Sequence, residues 1–193
     1  LITGIGAYTG KFETYFLIQT AAEENAERLF GSATRLRYQG ATRYDTSLSI
    51  ADALKEAYVD DKFENIIVAY GGNYPDALSA GYLAKVKNAP IITSDKKHET
   101  SVMNYIEANL VEGGTVYILG GTGQVSAAFE AKLVENESFN CKRLEGVTRY
   151  ETNLLALKEA GVSKEAILVC SGTGYADSLS ASAAGLPILL VGK

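Results

Sequence analysis

Histidine, cysteine, proline and tryptophan are scarce in this 193-residue chain, which has one His, two Cys, three Pro and no Trp. His98, Cys141 and Cys170 cannot assemble a structural zinc site of four cysteines, or of two cysteines and two histidines. Neither a metal nor a cofactor is expected. A Ser-His-Asp or Cys-His arrangement would have to be built on His98, which stands in the polar run 94–99 and reads instead as a loop or helix-start histidine. Two cysteines do not make a disulfide scaffold, and their spacing leaves their pairing open.

A basic excess is missing too. With 18 Lys+Arg against 23 Asp+Glu the formal net charge is -5, so a nucleic-acid partner is not expected and any contact with an anion is confined to a few local cations. The longest apolar run, 186–191, is interrupted by Pro187 and falls far short of the roughly 18 residues of a membrane span, so no membrane insertion is expected. At 47% hydrophobic and 21% charged residues the chain has the composition of one or two folded domains. It starts at Leu1 inside strand-like sequence and is expected to be a piece of a longer protein.

What the chain does have is an internal repeat. Gly40-Ala-Thr-Arg-Tyr-Asp-Thr46 matches Gly146-Val-Thr-Arg-Tyr-Glu-Thr152 at five of seven positions, and 66–80 matches 167–181 at eight of fifteen. Pro90-Ile91 then matches Pro187-Ile188, so the copies keep their order. The first copy reads as alternating helix and strand. Thr42 and Asp45 form a capping box that opens a helix to about Tyr58, and 66–70 is a buried strand. A helix starts near Pro75-Asp76, where Asp suits the positive helix end. Strand 90–94, helix 99–110, strand 115–119, a Gly-rich turn, helix 124–134 and a short strand 142–145 follow. This pattern predicts an α/β fold with an open, mainly parallel sheet flanked by helices. The second copy covers only the first two helices and strands, so it is incomplete and is expected to expose an apolar edge and face unless more chain or another subunit covers them. Residues 1–18 read as a short β-hairpin and 19–35 as a linker. Copy 1 then occupies 36–141 and copy 2 occupies 142–193.

Three constellations are candidates for function. Gly121-x-Gly123-x-x-Ser126 after a strand, with Glu145 further on, is an imperfect dinucleotide fingerprint that would make the chain a nucleotide-binding α/β enzyme. Arg43 with Asp76, echoed by Arg149 with Asp177, either presents anion sites at helix starts or forms structural bridges between helices. Thr148 and Glu151 repeat the cap of Thr42 and Asp45. Tyr44 and Tyr150, beside the arginines, are either contacts for a polymer or anchors of their helices, and Lys96-Lys97 adds a small basic spot. A purely structural oligomerisation module is a third reading.

The combination Gly-x-Thr-Arg-Tyr-x-Thr, Gly-x-x-Tyr-x-Asp-x-Leu-Ser-Ala, Pro-Ile-Ile or Pro-Ile-Leu, and Val-Tyr-Ile-Leu-Gly-Gly-Thr-Gly-x-Val-Ser resembles the second family of cell-wall-binding repeats of Gram-positive, especially clostridial, surface proteins. The resemblance spans 36–193 and implies a Toprim-like α/β repeat, found in tandem and packed in a pseudo-threefold bundle. It implies a secreted, non-enzymatic anchor that holds a surface protein to the wall by binding an anionic wall polymer, and association with further repeats or as a homo-oligomer. The cations available for that polymer are Arg43, Arg149, Lys96 and Lys97. Residues 1–18 are similar to the closing strands of a bacterial immunoglobulin-like module.

Overall fold

Runs such as Ile66-Ile67-Val68-Ala69 suit strands covered on both faces, because successive side chains point to opposite sides of a sheet. The structure is a computed structural model that describes residues 36–58, 62–162 and 166–192. The expected hairpin at 1–18 and linker at 19–35 lie outside the described residues. Gln39–Lys193 make one compact unit containing both copies. Its elements are α1 (Arg43–Tyr58), β1 (Phe63–Tyr70), α2 (Pro75–Lys87), β2 (Ile91–Ser94), α3 (Glu99–Asn109), β3 (Leu110–Leu119), α4 (Ala127–Glu135), β4 (Asn140–Leu144), α5 (Arg149–Glu159), β5 (Leu168–Ser171), α6 (Ala176–Ser182) and β6 (Ile188–Val191).

The expected parallel sheet is present as β2-β1-β3-β4, with Ile67 opposite both Ile91 and Tyr117, and Leu119 opposite Leu144. Ile66, Val68, Ile92, Val116 and Ile118 face α1, α3 and α4, and bury Val102, Ile106, Phe129 and Leu133. Ile67, Ala69, Tyr117, Leu119 and Leu144 face the other way, against Ala80 and Leu83 of α2 and Ala156 of α5. The last of these helices belongs to the second copy. One helix therefore caps its own strands and also completes the cover of the neighbouring sheet.

Several element boundaries differ from the sequence reading, β1 starting at Phe63 rather than 66 among them, and three have a local explanation. β3 runs on directly from α3 rather than starting at 115, because Gly113 takes φ 76° and a register shift beside Phe63 absorbs the irregularity. α4 starts at Ala127 rather than 124, because the Ser126 hydroxyl accepts the Phe129 N–H and caps it. β4 starts at Asn140 and pairs with β3 across the boundary drawn between the copies, so it is hydrogen-bonded into the copy 1 sheet.

In copy 2, β5 and β6 form a separate two-stranded parallel sheet. Ile66 and Val68 are 0% exposed, whereas their counterparts Ile167 and Val169 are 43% and 64% exposed, because copy 2 has no described counterparts of α3 and α4. The expected bare apolar face is thus present. Cys141 and Cys170 are both free thiols, so the pairing left open by their spacing does not occur. Burial raises both thiol pKa values, that of Cys141 to about 11.

Candidate functional site

The duplicated heptad is a helix-start device in which nearly every residue has a structural partner. Thr42 and Asp45 exchange backbone hydrogen bonds (3.0 and 3.2 Å), and Thr148 and Glu151 do the same (both 3.3 Å), as the capping-box spacing predicted. The Gly40 and Gly146 N–H groups donate to the Thr46 and Thr152 hydroxyls. A Cβ at either glycine would lie 2.3 Å from the Asp45 or Glu151 Cβ. The helix therefore turns so close to the incoming chain that only glycine fits.

The two arginines do not bridge Asp76 and Asp177. Neither pair is among the ion pairs of the described residues. Instead Arg43 Nη1 donates to the Gly71 carbonyl (3.0 Å) and Arg149 Nη1 to the Gly172 carbonyl (2.7 Å), so each ties its helix to the end of the first strand of its own copy. Tyr44 and Tyr150 close over the same glycines, with Cε1 2.4 Å from where a Cβ at Gly71 or Gly172 would stand. Both rings are half-buried helix anchors, packed against backbone that a larger residue would displace.

Arg43 is exposed at the carboxyl end of β1, and Lys96 and Lys97 are exposed in the turn after β2. Tyr44, next to Arg43, stacks on His98, next to Lys97, with ring centroids 3.9 Å apart. The Asp95 carboxylate sits under this pair, 2.6 Å from His98 Nδ1 and accepting the Lys97 and His98 N–H groups. Burial acts to raise the Asp95 pKa, but the hydrogen bonds from His98, Tyr44 and the two backbone groups outweigh it and hold it at about 2. His98 is thus a helix-start residue held in place by a carboxylate, and the turn carrying exposed Lys96 and Lys97 is joined to the start of α1 through the Tyr44–His98 stack.

A second feature was not legible in the sequence. A polar cleft of about 190 Å3 opens between the copies, lined by Tyr70, Asn73, Asp76, Gln124, Thr148 and Arg149 among others. It lies outside the carboxyl ends of β1 and β3, where the connections diverge to opposite sides of the sheet, the usual place for a ligand in an open parallel sheet. Tyr74 of copy 1 reaches across to copy 2. Its hydroxyl accepts from Arg149 Nη1 (3.2 Å) and donates to the Thr173 carbonyl (3.2 Å), and its ring lies 5.8 Å from the guanidinium and 5.6 Å from Tyr175. Burial raises the Asp76 pKa, and Arg149 partly offsets this. Asp76 therefore senses the arginine of the other copy rather than Arg43.

The Gly-rich turn is not built for a pyrophosphate. The Gly121 N–H is taken by Gln124 Oε1 (2.9 Å), and the Ser126 N–H and hydroxyl by Glu99 (both 2.7 Å). Arg143, missed in the sequence reading, donates to Glu130 and to the carbonyls of Gly120, Val125 and Ser126. Glu145 Oε1 comes within 2.6 Å of where a Cβ at Gly121 would stand. Occupied amides and two nearby carboxylates oppose a nucleotide phosphate.

Duplicated helix starts, one parallel sheet shared by helices of both copies and a polar junction define a tandem α/β repeat module. The family described as cell wall binding domain 2 (CWB2) matches residues 37–130 and 143–193, and the chain belongs to it. It is a cell-wall-binding module of a surface protein. It is 30% identical over 183 residues to the N-acetylmuramoyl-L-alanine amidase LytC of Bacillus subtilis (strain 168), covering 91% of this chain and 33% of that protein. It is 26% identical over 156 residues to the amidase enhancer of the same organism, covering 81% of this chain and 20% of that protein. The structure of Cwp8 from Clostridium difficile superposes with a TM-score of 0.70 at 29% identity, over 89% of this chain and 30% of that one. Cwp6 from Clostridium difficile, at 24% identity and TM-score 0.61 over 83% of this chain and 27% of that one, shares the fold. The chain spans about a third or less of each of these proteins.

Proposed function

We propose that this module anchors its surface protein non-covalently to the wall through an anionic wall polymer, and that it has no catalytic role of its own. The observation that supports this reading most is the exposure of Arg43, Lys96 and Lys97 on two segments joined by the Tyr44–His98 stack at one end of the copy 1 sheet. In a chain of net charge -5, such a cluster is where an anionic polymer would be attracted. The full chain is expected to sediment with Gram-positive sacculi at low salt and to be released as salt screens the contacts. Changing Arg43, Lys96 and Lys97 together to alanine should weaken retention about tenfold or more. Salt-independent retention, or an unaffected triple variant, would defeat the electrostatic mechanism; a lower melting temperature with normal retention would assign these residues to the fold.

Association with further copies is part of the same proposal. At the junction Ala156 is 1% exposed, whereas its counterpart in copy 1, Ile50, is 51% exposed. Tyr74 and Asp76 are half-covered, whereas Tyr175, Asp177 and Leu179 are exposed. Copy 1 thus carries a bare α1 face with Arg43, and copy 2 a bare α6 face with Tyr175 and Asp177, the two halves of the contact already made between the copies. Sedimentation velocity should show concentration-dependent self-association that Ile50→Asp or Leu179→Asp abolishes. A monomer at all concentrations would count against association between separate chains.

A further inference from the structure

The junction cleft contains an acceptor and donor hydrogens that no described residue hydrogen-bonds. Asp76 makes no hydrogen bond and no ion pair among the described residues, although it is close enough to Arg149 for the guanidinium to stabilise its charge. The Arg149 hydrogen bonds engage Nη1 alone, with Gly172 and Tyr74 as partners. Its Nε and Nη2 hydrogens have no hydrogen-bond partner among the described residues. A carboxylate is an acceptor only and a guanidinium a donor only, so the pair would close on itself if nothing were meant to come between. It does not close: Arg149 is held back by Gly172 and Tyr74, and Asp76 by its place in the first turn of α2.

The chemistry of the cleft favours a hydroxyl-bearing ligand over an anion. Asp76 lies within it and Glu145 beside its Gly121 wall, against Arg149 as the one cation among the described lining residues, so a phosphate entering it would meet a net negative site. Vicinal hydroxyls both donate and accept, and they match an acceptor and a donor set facing the same space. Asn73, Gln124 and Thr148 add groups of both kinds. About 190 Å3 is smaller than the ~300–1,000 Å3 of sites for drug-sized ligands, and it suits one ring. The wall glycines Gly120 and Gly121 keep the space open, since a Cβ at Gly120 would lie 2.5 Å from Asp76 Oδ2.

We propose that the cleft between the copies is a saccharide subsite, in which Asp76 accepts from, and Arg149 donates to, hydroxyls of one sugar ring of the wall polymer. This rests on the wall-polymer reading above and divides the work. Arg43, Lys96 and Lys97 meet the anionic groups, while the cleft reads a ring.

The test follows backbone amide shifts of the isotope-labelled full chain during titration with glucose, with N-acetylglucosamine and with inorganic phosphate. At least one sugar should move the Gly121, Gly146 and Thr148 amides, and phosphate should not. Asp76→Asn should weaken that response, and retention on sacculi, about tenfold or more while leaving the salt dependence of retention unchanged. Gly121→Ala should do the same by filling the cleft, since the atom its Cβ meets is the end of the exposed Glu145 side chain, which can move. The subsite is overturned if neither sugar moves these amides, if phosphate alone does, or if Asp76→Asn responds like the wild type. Failure of the wild type to sediment with sacculi overturns the wall-polymer reading itself, a separate result from the amide shifts.

Discussion

Arg143→Ala should be among the most destabilising single substitutions in the molecule. The side chain is only 9% exposed, and its guanidinium donates to Glu130 Oε2 at 2.7 Å and to the carbonyls of Gly120 (2.8 Å), Val125 (3.2 Å) and Ser126 (3.4 Å). Removing it leaves a partly buried carboxylate and the Gly120 and Val125 carbonyls without their donor, while the Ser126 carbonyl keeps the Glu130 N–H. Breaking a buried pair costs ~3–5 kcal/mol, and the 30% exposure of Glu130 argues for the low end. A loss of about 3 kcal/mol corresponds to a fall of roughly 10 °C in melting temperature for a unit of this size. Arg143→Lys should recover little, because an ammonium cannot reach four acceptors with a fork's geometry. Thermal melts followed by circular dichroism check this. A change within about 2 °C would mean that water satisfies those carbonyls instead.

Asn153→Leu should be comparably costly, and its effect should centre on copy 2. Asn153 is 1% exposed. Its Nδ2 donates to the Ile188 carbonyl (3.0 Å) and its Oδ1 accepts the Leu190 N–H (2.9 Å), so it imitates a neighbouring strand and satisfies the outer edge of β6. Leucine fills the space but orphans two buried backbone groups, at a combined cost of about 3 kcal/mol. In copy 1 the counterpart is Ser47, whose hydroxyl accepts from the Thr93 N–H (3.0 Å) and hydroxyl (3.1 Å) and donates to the Tyr44 carbonyl of its own helix (2.7 Å), so it satisfies one strand-edge amide rather than a strand-edge donor and acceptor. Ser47→Ala should therefore cost only about 1 kcal/mol. Hydrogen exchange at the Leu190 amide should accelerate in Asn153→Leu while Ile67 in the copy 1 sheet stays protected. Equal exchange in variant and wild type would remove Asn153 from the account of this edge.

Both residues show where sequence reasoning stops. Asn153 occupies the position of Ser47 in the repeat, yet nothing local distinguishes a helix-surface Asn from one that pairs with a strand edge 35 residues away. Arg143 sits in a short strand among polar neighbours and reads as an ordinary exposed cation until the Gly-rich turn folds over it. The turn itself looked like a phosphate cradle because Gly spacing is local, whereas the occupants of its amides, Gln124 and Glu99, are partly remote. The capping boxes of Thr42 with Asp45 and of Thr148 with Glu151 were legible because each is closed within four residues.

The sequence by itself determined the duplication, the alternation of helix and strand and the parallel sheet. These follow from short-range periodicity, caps and composition. Only the tertiary structure decided the partners of Arg43 and Arg149 and the surroundings of Asp76. Sequence order pairs each arginine with the aspartate of its own copy. The folded chain ties each arginine to a strand-end carbonyl and turns Asp76 toward Arg149, because α5 crosses from the second copy to cover the apolar face of the first sheet.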